Sequence, residues 1–261
     1  MKFHPFSWFR PYFWLCVLMA GFFLVGCNTQ PEDDSSQPRI QSHFSKIERP
    51  NSSKPDFDSK TPFRLESRPR IVAFGDSLTA GKGVSFAEAY PAQLQRRLDE
   101  LGYRYEVINA GVSGETTAGG IRRLDWILNL QPQIVILELG ANDGLRGVPI
   151  THIYRILEAI IQRLQKNQIT IILAGMDLPR NYGETYVTEF RAIYPRLAQK
   201  YGIPLIPFLL QDVAGRSHLN QEDGIHPTAE GYQIVVDNVM AILEPMLKHA
   251  SLSSNQRAIL F

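Results

Sequence analysis

Short apolar runs alternate with longer amphipathic stretches from Arg70 to Leu247, and no other feature restricts the possible folds as strongly. The runs cover 71–74, 106–109, 134–139, 169–174 and 205–208, and the amphipathic stretches 90–101, 117–130, 151–167, 185–201 and 228–247. Strands made mostly of Val, Ile and Leu, without polar alternation, are buried on both faces, as in a parallel sheet. Parallel neighbours need a crossover of a dozen or more residues, and helices of these lengths supply it. The pattern therefore predicts a three-layer, doubly wound α/β domain with a five-stranded parallel sheet between helices. Pro91 suits a first helical turn, Gly102 and Gly202 follow helix ends, and Thr228 can cap the last helix. With 44 % hydrophobic residues in 261, the chain has apolar material for one sizeable core. That core is expected over 70–248, followed by a tail at 249–261.

The segment before Arg70 has a different composition. A cationic start with Lys2 and Arg10 leads into an uncharged apolar run over 12–25, too short for a comfortable membrane-spanning helix. The run closes on Leu24-Val25-Gly26-Cys27, which resembles the lipobox of bacterial lipoprotein signal peptides. By that resemblance residues 1–26 are a signal peptide, and Cys27 becomes a lipidated N-terminus that holds the protein on a membrane. An ordinary hydrophobic signal that happens to contain a cysteine is the other reading. Asn28, rather than Asp, after the cysteine resembles sorting to the outer membrane, which would place the protein there facing the periplasm. Residues 27–69 are rich in Ser, Pro, Asp and Gln and lack apolar periodicity, so a disordered tether of roughly 35 Å mean span is expected. Alternatively Phe63 and Leu65 are captured by the domain as an extended arm. A net charge of +1, from 27 basic and 26 acidic residues, gives no field for nucleic acid. The only other cysteine, Cys16, lies in the expected signal peptide, so the domain contains no disulfide and no thiolate metal site.

In such a sheet, ligands bind outside the carboxyl ends of the strands, near the topological switch point. Gly75-Asp76-Ser77-Leu78 follows the first run, and a sharp turn there presents the Ser77 hydroxyl at the mouth of the sheet. Asp223 and His226 are three apart with Gly224 between them, so the carboxylate can fold back onto Nδ1 and leave Nε2 for a serine. Asn142 follows the third run, and Gly114 lies in the turn after the second. Both can donate hydrogen bonds to an oxyanion, Gly114 from its backbone and Asn142 from its carboxamide. Each feature alone is ordinary turn chemistry. Their combination, each at a strand end, has the parts that acyl transfer needs: nucleophile, base, orienting group and oxyanion donors.

These four segments resemble the sequence blocks of the GDSL, or SGNH, hydrolases. Gly75-Asp76-Ser77-Leu78 is similar to the first block, the Gly114 turn to the second, Gly140-Ala141-Asn142-Asp143 to the third and Asp223-Gly224-Ile225-His226-Pro227 to the last. The resemblance spans about 70–247 and implies a flavodoxin-like hydrolase fold. It implies a catalytic triad of Ser77, Asp223 and His226, and an oxyanion hole of the Ser77 and Gly114 amides with the Asn142 side chain. The longer likenesses at 138–147, 178–183 and 192–195 are to bacterial esterases of the thioesterase, lysophospholipase and arylesterase type. Hydrolysis of acyl esters or thioesters by a monomer, with no metal and no organic cofactor, is therefore expected. Met176, Leu178, Pro179 and Tyr182, in the loop after the fourth run, are candidates to bind the acyl chain, although Met176 and Leu178 could simply pack beneath the loop. A carbohydrate O-deacetylase of the cell envelope uses the same residues and stays open, as does a non-catalytic binding module on the same fold. A nucleotide-binding flavodoxin-like protein is disfavoured, because the first strand-to-helix turn lacks the glycine spacing and Lys of a phosphate loop.

Overall fold

The computed structural model of the protein describes residues 68–258. The expected signal peptide, Cys27 and all but the last two residues of the expected tether lie outside them. Those two are held by the domain: Arg68 pairs with Asp99 at 3.0 Å, and the Pro69 carbonyl accepts the Glu106 amide at 2.9 Å.

Five strands, β1 (Arg70–Gly75), β2 (Glu106–Gly111), β3 (Pro132–Glu138), β4 (Thr170–Ala174) and β5 (Leu205–Ile206), form one parallel sheet in the order β2-β1-β3-β4-β5. β1 and β3 are central, and Ile71 to Phe74 and Val135 to Leu137 are fully buried. Helices follow in sequence: α1 (Ser77–Ala80), α2 (Tyr90–Glu100), α3 (Thr117–Arg122), α4 (Leu124–Asn129), α5 (Ala141–Leu145), α6 (Ile150–Lys166), α7 (Glu184–Tyr201) and α8 (Ala229–Ala258). α2 packs with α8, whereas α6 packs with α3 and α7, giving the helical layers on the two faces of the sheet. The order of strands reverses at β1, with β2 on one side and β3 on the other, so the switch point lies between the carboxyl ends of β1 and β3.

Three helical features depart from the periodicity. The stretch 117–130 is two helices, because Arg123 leaves helical geometry (φ −101°, ψ 9°) and carries its guanidinium beneath the carbonyls of Gly75 and Ala110. Single helical turns, α1 and α5, directly follow β1 and β3, where Gly and Asp suggested only turns. The last helix continues past Leu247 to Ala258, into the expected tail, where no Gly or Pro interrupts it. No helix among the described residues is long and apolar enough to cross a membrane.

Candidate active site

Close packing at the switch point sets the site. A Cβ on Gly75 would lie 2.1 Å from Thr79 Oγ1 and 2.3 Å from Glu138 Oε2, and one on Gly111 would lie 2.2 Å from the Ala80 amide. Only glycine at both positions lets α1 fold back against β1, β2 and β3. Asp76 caps α1 by accepting the Leu78 amide at 3.0 Å, and Ser77 is the first residue of that turn. Its hydroxyl donates to His226 Nε2 at 2.8 Å, and His226 Nδ1 donates to Asp223 Oδ2 at 2.7 Å. Asp223 Oδ1 accepts the amides of Ile225 and His226, both at 3.1 Å, so the carboxylate is fixed before it fixes the ring. Burial acts to raise the Asp223 carboxyl. The hydrogen bonds from the His226 ring and the two amides outweigh it and hold the group below the usual carboxylate range. The imidazole is thus set in the tautomer that can take a proton from Ser77.

Three hydrogen-bond donors belong to residues that line one cavity with that hydroxyl. The amides of Ser77 and Gly114 donate to no protein group among the described residues. Asn142 gives one carboxamide N–H to Asp76 Oδ2 at 2.8 Å, which leaves the other for the cavity. The Gly114 turn needs its positive φ of 78°, and its carbonyl is held by Arg146 at 3.1 Å. Beside it, Glu115 pairs with Arg123, whose guanidinium also donates to the carbonyls ending β1 and β2 and lies 4.6 Å from the Phe74 ring centroid. Asp143, next to Asn142, accepts the Thr117 amide at 2.8 Å and its hydroxyl at 2.7 Å. The turns after β2 and β3 are therefore tied to each other.

Behind Ser77 stand two buried acids, Asp76 and Glu138, exposed by 1 % and 0 %. Burial raises the Asp76 carboxyl despite hydrogen bonds from Leu78 and Asn142, and burial together with the Asp76 charge pushes Glu138 well above the carboxylate range. Glu138 was not anticipated as part of the site. The available signal was an acid inside an apolar run, flanked by Leu137 and Leu139, since an ionisable side chain on a central strand must find partners.

A cavity of about 710 Å³ opens in front of this framework. Ser77, Gly114, Asn142 and His226 line it together, with Met176, Leu178 and Pro179 along one wall. Leu178 also packs against α5, where a Cβ on Gly144 would lie 2.8 Å from Leu178 Cδ2. Tyr182 does not line the cavity: it is part of a 3₁₀ turn (Arg180–Tyr182) turned outward, and its hydroxyl donates to the Leu145 carbonyl at 3.0 Å. The wall after β5 was missed. Phe208 and Leu210 belong to it, with Ile225 beside the histidine, because the apolar run at 205–208 suggested a longer strand whereas β5 ends at Ile206. No cluster of three or more His, Cys, Asp or Glu suited to a metal occurs among the described residues.

Residues 73–234 match the GDSL-like lipase/acylhydrolase family. The chain belongs to this family. It is similar to esterase TesA of Pseudomonas aeruginosa, with 37 % identity over 178 residues, covering 68 % of this chain and 89 % of the relative. It is also similar to the Escherichia coli protein named thioesterase 1/protease 1/lysophospholipase L1, with 36 % identity over 190 residues, covering 72 % and 90 %. Among solved structures, the SGNH-hydrolase esterase AlinE4 shares 45 % identity at a TM-score of 0.58, covering 67 % of this chain and 93 % of that one. This GDSL protein is accordingly a serine ester hydrolase with the SGNH fold, and hydrolysis through an acyl-enzyme is general for the family.

Proposed function

We propose that Ser77 is the nucleophile of this esterase, His226 its general base and Asp223 the group that orients the base. The observation that carries the assignment is the continuous line Ser77 Oγ to His226 Nε2 to His226 Nδ1 to Asp223, at 2.8 and 2.7 Å. As Oγ attacks the acyl carbonyl, its proton passes to Nε2, and Asp223 stabilises the imidazolium. The carbonyl oxygen becomes an oxyanion received by the Ser77 and Gly114 amides and the free Asn142 N–H. His226 then protonates the leaving alkoxide or thiolate. Water, deprotonated by the same ring, hydrolyses the acyl-enzyme.

The preferred substrates are single-chain acyl esters or thioesters with a short to medium apolar chain. Met176, Leu178, Phe208 and Leu210 on the cavity walls support this, as do relatives named esterase and thioesterase/lysophospholipase. We further propose export, removal of residues 1–26 and lipidation at Cys27, with the monomeric hydrolase held at the outer membrane facing the periplasm. The apolar run ending in Leu24-Val25-Gly26-Cys27 supports this. A panel of p-nitrophenyl esters of increasing length, acyl-CoAs, lysophospholipids and acetylated sugars tests the substrate class: kcat/KM rises with chain length and then levels off. Acetylated sugars cleaved faster than every longer ester would turn the assignment to deacetylation. Mass spectrometry of the mature N-terminal peptide tests the anchor, which an unmodified N-terminus beyond Cys27 contradicts.

A further inference from the structure

Glu138 ends β3 directly behind the turn that carries Ser77. Its Oε2 accepts the Asp76 amide at 3.0 Å and the Thr79 hydroxyl at 2.9 Å, while its Oε1 has no donor. Asp76 uses both side-chain oxygens as acceptors, Oδ1 from the Leu78 amide and Oδ2 from the Asn142 carboxamide. Both acids are buried, and no cation is among the hydrogen-bond partners of either. Two neighbouring carboxylates without a cationic partner cannot both stay ionised at this depth. Because Asp76 accepts N–H groups at both oxygens whereas Glu138 Oε1 accepts none, the negative charge belongs to Asp76 and the proton to Glu138.

We propose that Glu138 is a positioning residue, protonated at Oε1, which through the Asp76 amide fixes the residue that holds Asn142 and precedes Ser77, and so fixes these oxyanion donors. The inference rests on the assignment of those donors made above. Two connections transmit the effect. The Asp76 side chain holds the Asn142 carboxamide, and the Asp76 amide, held by Glu138 Oε2, precedes the Ser77 amide by one residue. An apolar side chain at 138 leaves the Asp76 amide without its acceptor and loosens the residue on which both connections depend. The oxyanion donors then lose the alignment that matters in the transition state, with little change in substrate binding.

Other titratable groups facing this pair are Tyr90 from α2, Tyr194 from α7, Tyr232 from α8, and His226. The three phenols are pushed upward, first by burial, and stay neutral across the working range. Ionisation of Glu138 therefore governs an alkaline limb.

Steady-state kinetics of the full chain as Glu138→Leu, Glu138→Gln and Ser77→Ala, with infrared difference spectra, test the proposal. Glu138→Leu is expected to lower kcat by about 10- to 100-fold, with KM within about twofold, a partial loss of what oxyanion donors supply. Glu138→Gln keeps an acceptor for the Asp76 amide and cannot ionise, so it should lose no more than about threefold and lack the alkaline limb. The wild-type enzyme should show at neutral pH a protonated-carboxyl stretching band that is absent from Glu138→Gln. The proposal is overturned by folded Glu138→Leu with near-normal kcat, by Glu138→Gln as damaged as Glu138→Leu, or by a band that is missing or persists in Glu138→Gln. If Glu138→Leu does not fold, Glu138→Gln and the band decide alone. Activity retained in Ser77→Ala would refute the nucleophile assignment, whereas inert Ser77→Ala beside fully active Glu138→Leu refutes only the role of Glu138.

Discussion

On one side of the cavity the turns after β1, β2 and β3 are joined by polar contacts: Asn142 to Asp76, Thr117 to Asp143, and Arg123 to Glu115 and two strand-end carbonyls. On the other side, the segments after β4 and β5 present Met176, Leu178, Pro179, Phe208 and Leu210, held mainly by packing. Polar ties there run through backbone groups and leave those side chains unbonded, as in the Leu209 amide to the Gly175 carbonyl at 2.9 Å and Asn238 to the Leu209 and Gln211 carbonyls. Hydrogen bonds have directions and fail when one atom is lost, whereas dispersion contacts weaken in proportion to the area removed. The first wall is therefore suited to stabilising charge at one point, and the second to grading substrates by size. Substitutions should act steeply on the polar wall and gradually on the apolar one.

The steepest losses should come from the triad. Ser77→Ala and His226→Ala should each lower kcat by about 10⁴-fold or more, with circular dichroism unchanged, since triad members act as a unit. Next comes Asn142→Ala, which removes an oxyanion donor and should cost about 10²- to 10³-fold in kcat at similar KM. A stability measurement sharpens the view of the polar wall. The folded-state pKa of Glu138 is raised, so its contribution is fully present below the ordinary carboxyl value and is lost as pH rises toward the folded value. Through that window the loss is about 1.4 kcal/mol per pH unit for one such group. Denaturant unfolding should therefore show Glu138→Gln gaining on the wild type from about pH 4.5 upward, and a constant difference would contradict a buried neutral acid.

Smaller effects belong to the apolar wall. Leu178→Ala should flatten the rise of kcat/KM with acyl length, because each methylene contributes at most about 0.8 kcal/mol there, near fourfold per carbon. Tyr182→Phe should change the ester-length profile by less than about twofold, since its hydroxyl makes one exposed bond outside the cavity. A large shift in length preference from Tyr182→Phe would place that residue against substrate and break the comparison.

The same contrast governs how much could be read from sequence. Five strands and their order along the chain follow from apolar runs, and Ser77, Gly114, Asn142 and His226 follow from where those runs end. Residues whose role depends on contacts distant in sequence were not legible. Arg123 breaks a helical pattern to reach carbonyls 48 and 13 residues away, and Glu138 looks like the end of a strand until Asp76, 62 residues earlier, is placed beside it. The turns α1 and α5 are too short for a 3.6-residue period to register. Tyr182 was placed in the groove by its position in a loop, yet the 3₁₀ turn aims it outward. Loop periodicity carries no information on that direction.

Labelling with a fluorophosphonate ester, followed by peptide mass spectrometry, tests most directly the claim that Ser77, activated by His226, is the nucleophile. One phosphonyl adduct on the peptide containing Ser77 is expected, forming in step with loss of activity, absent from Ser77→Ala and strongly slowed in His226→Ala. An adduct on another residue, or full inactivation with Ser77 unmodified, would contradict the account.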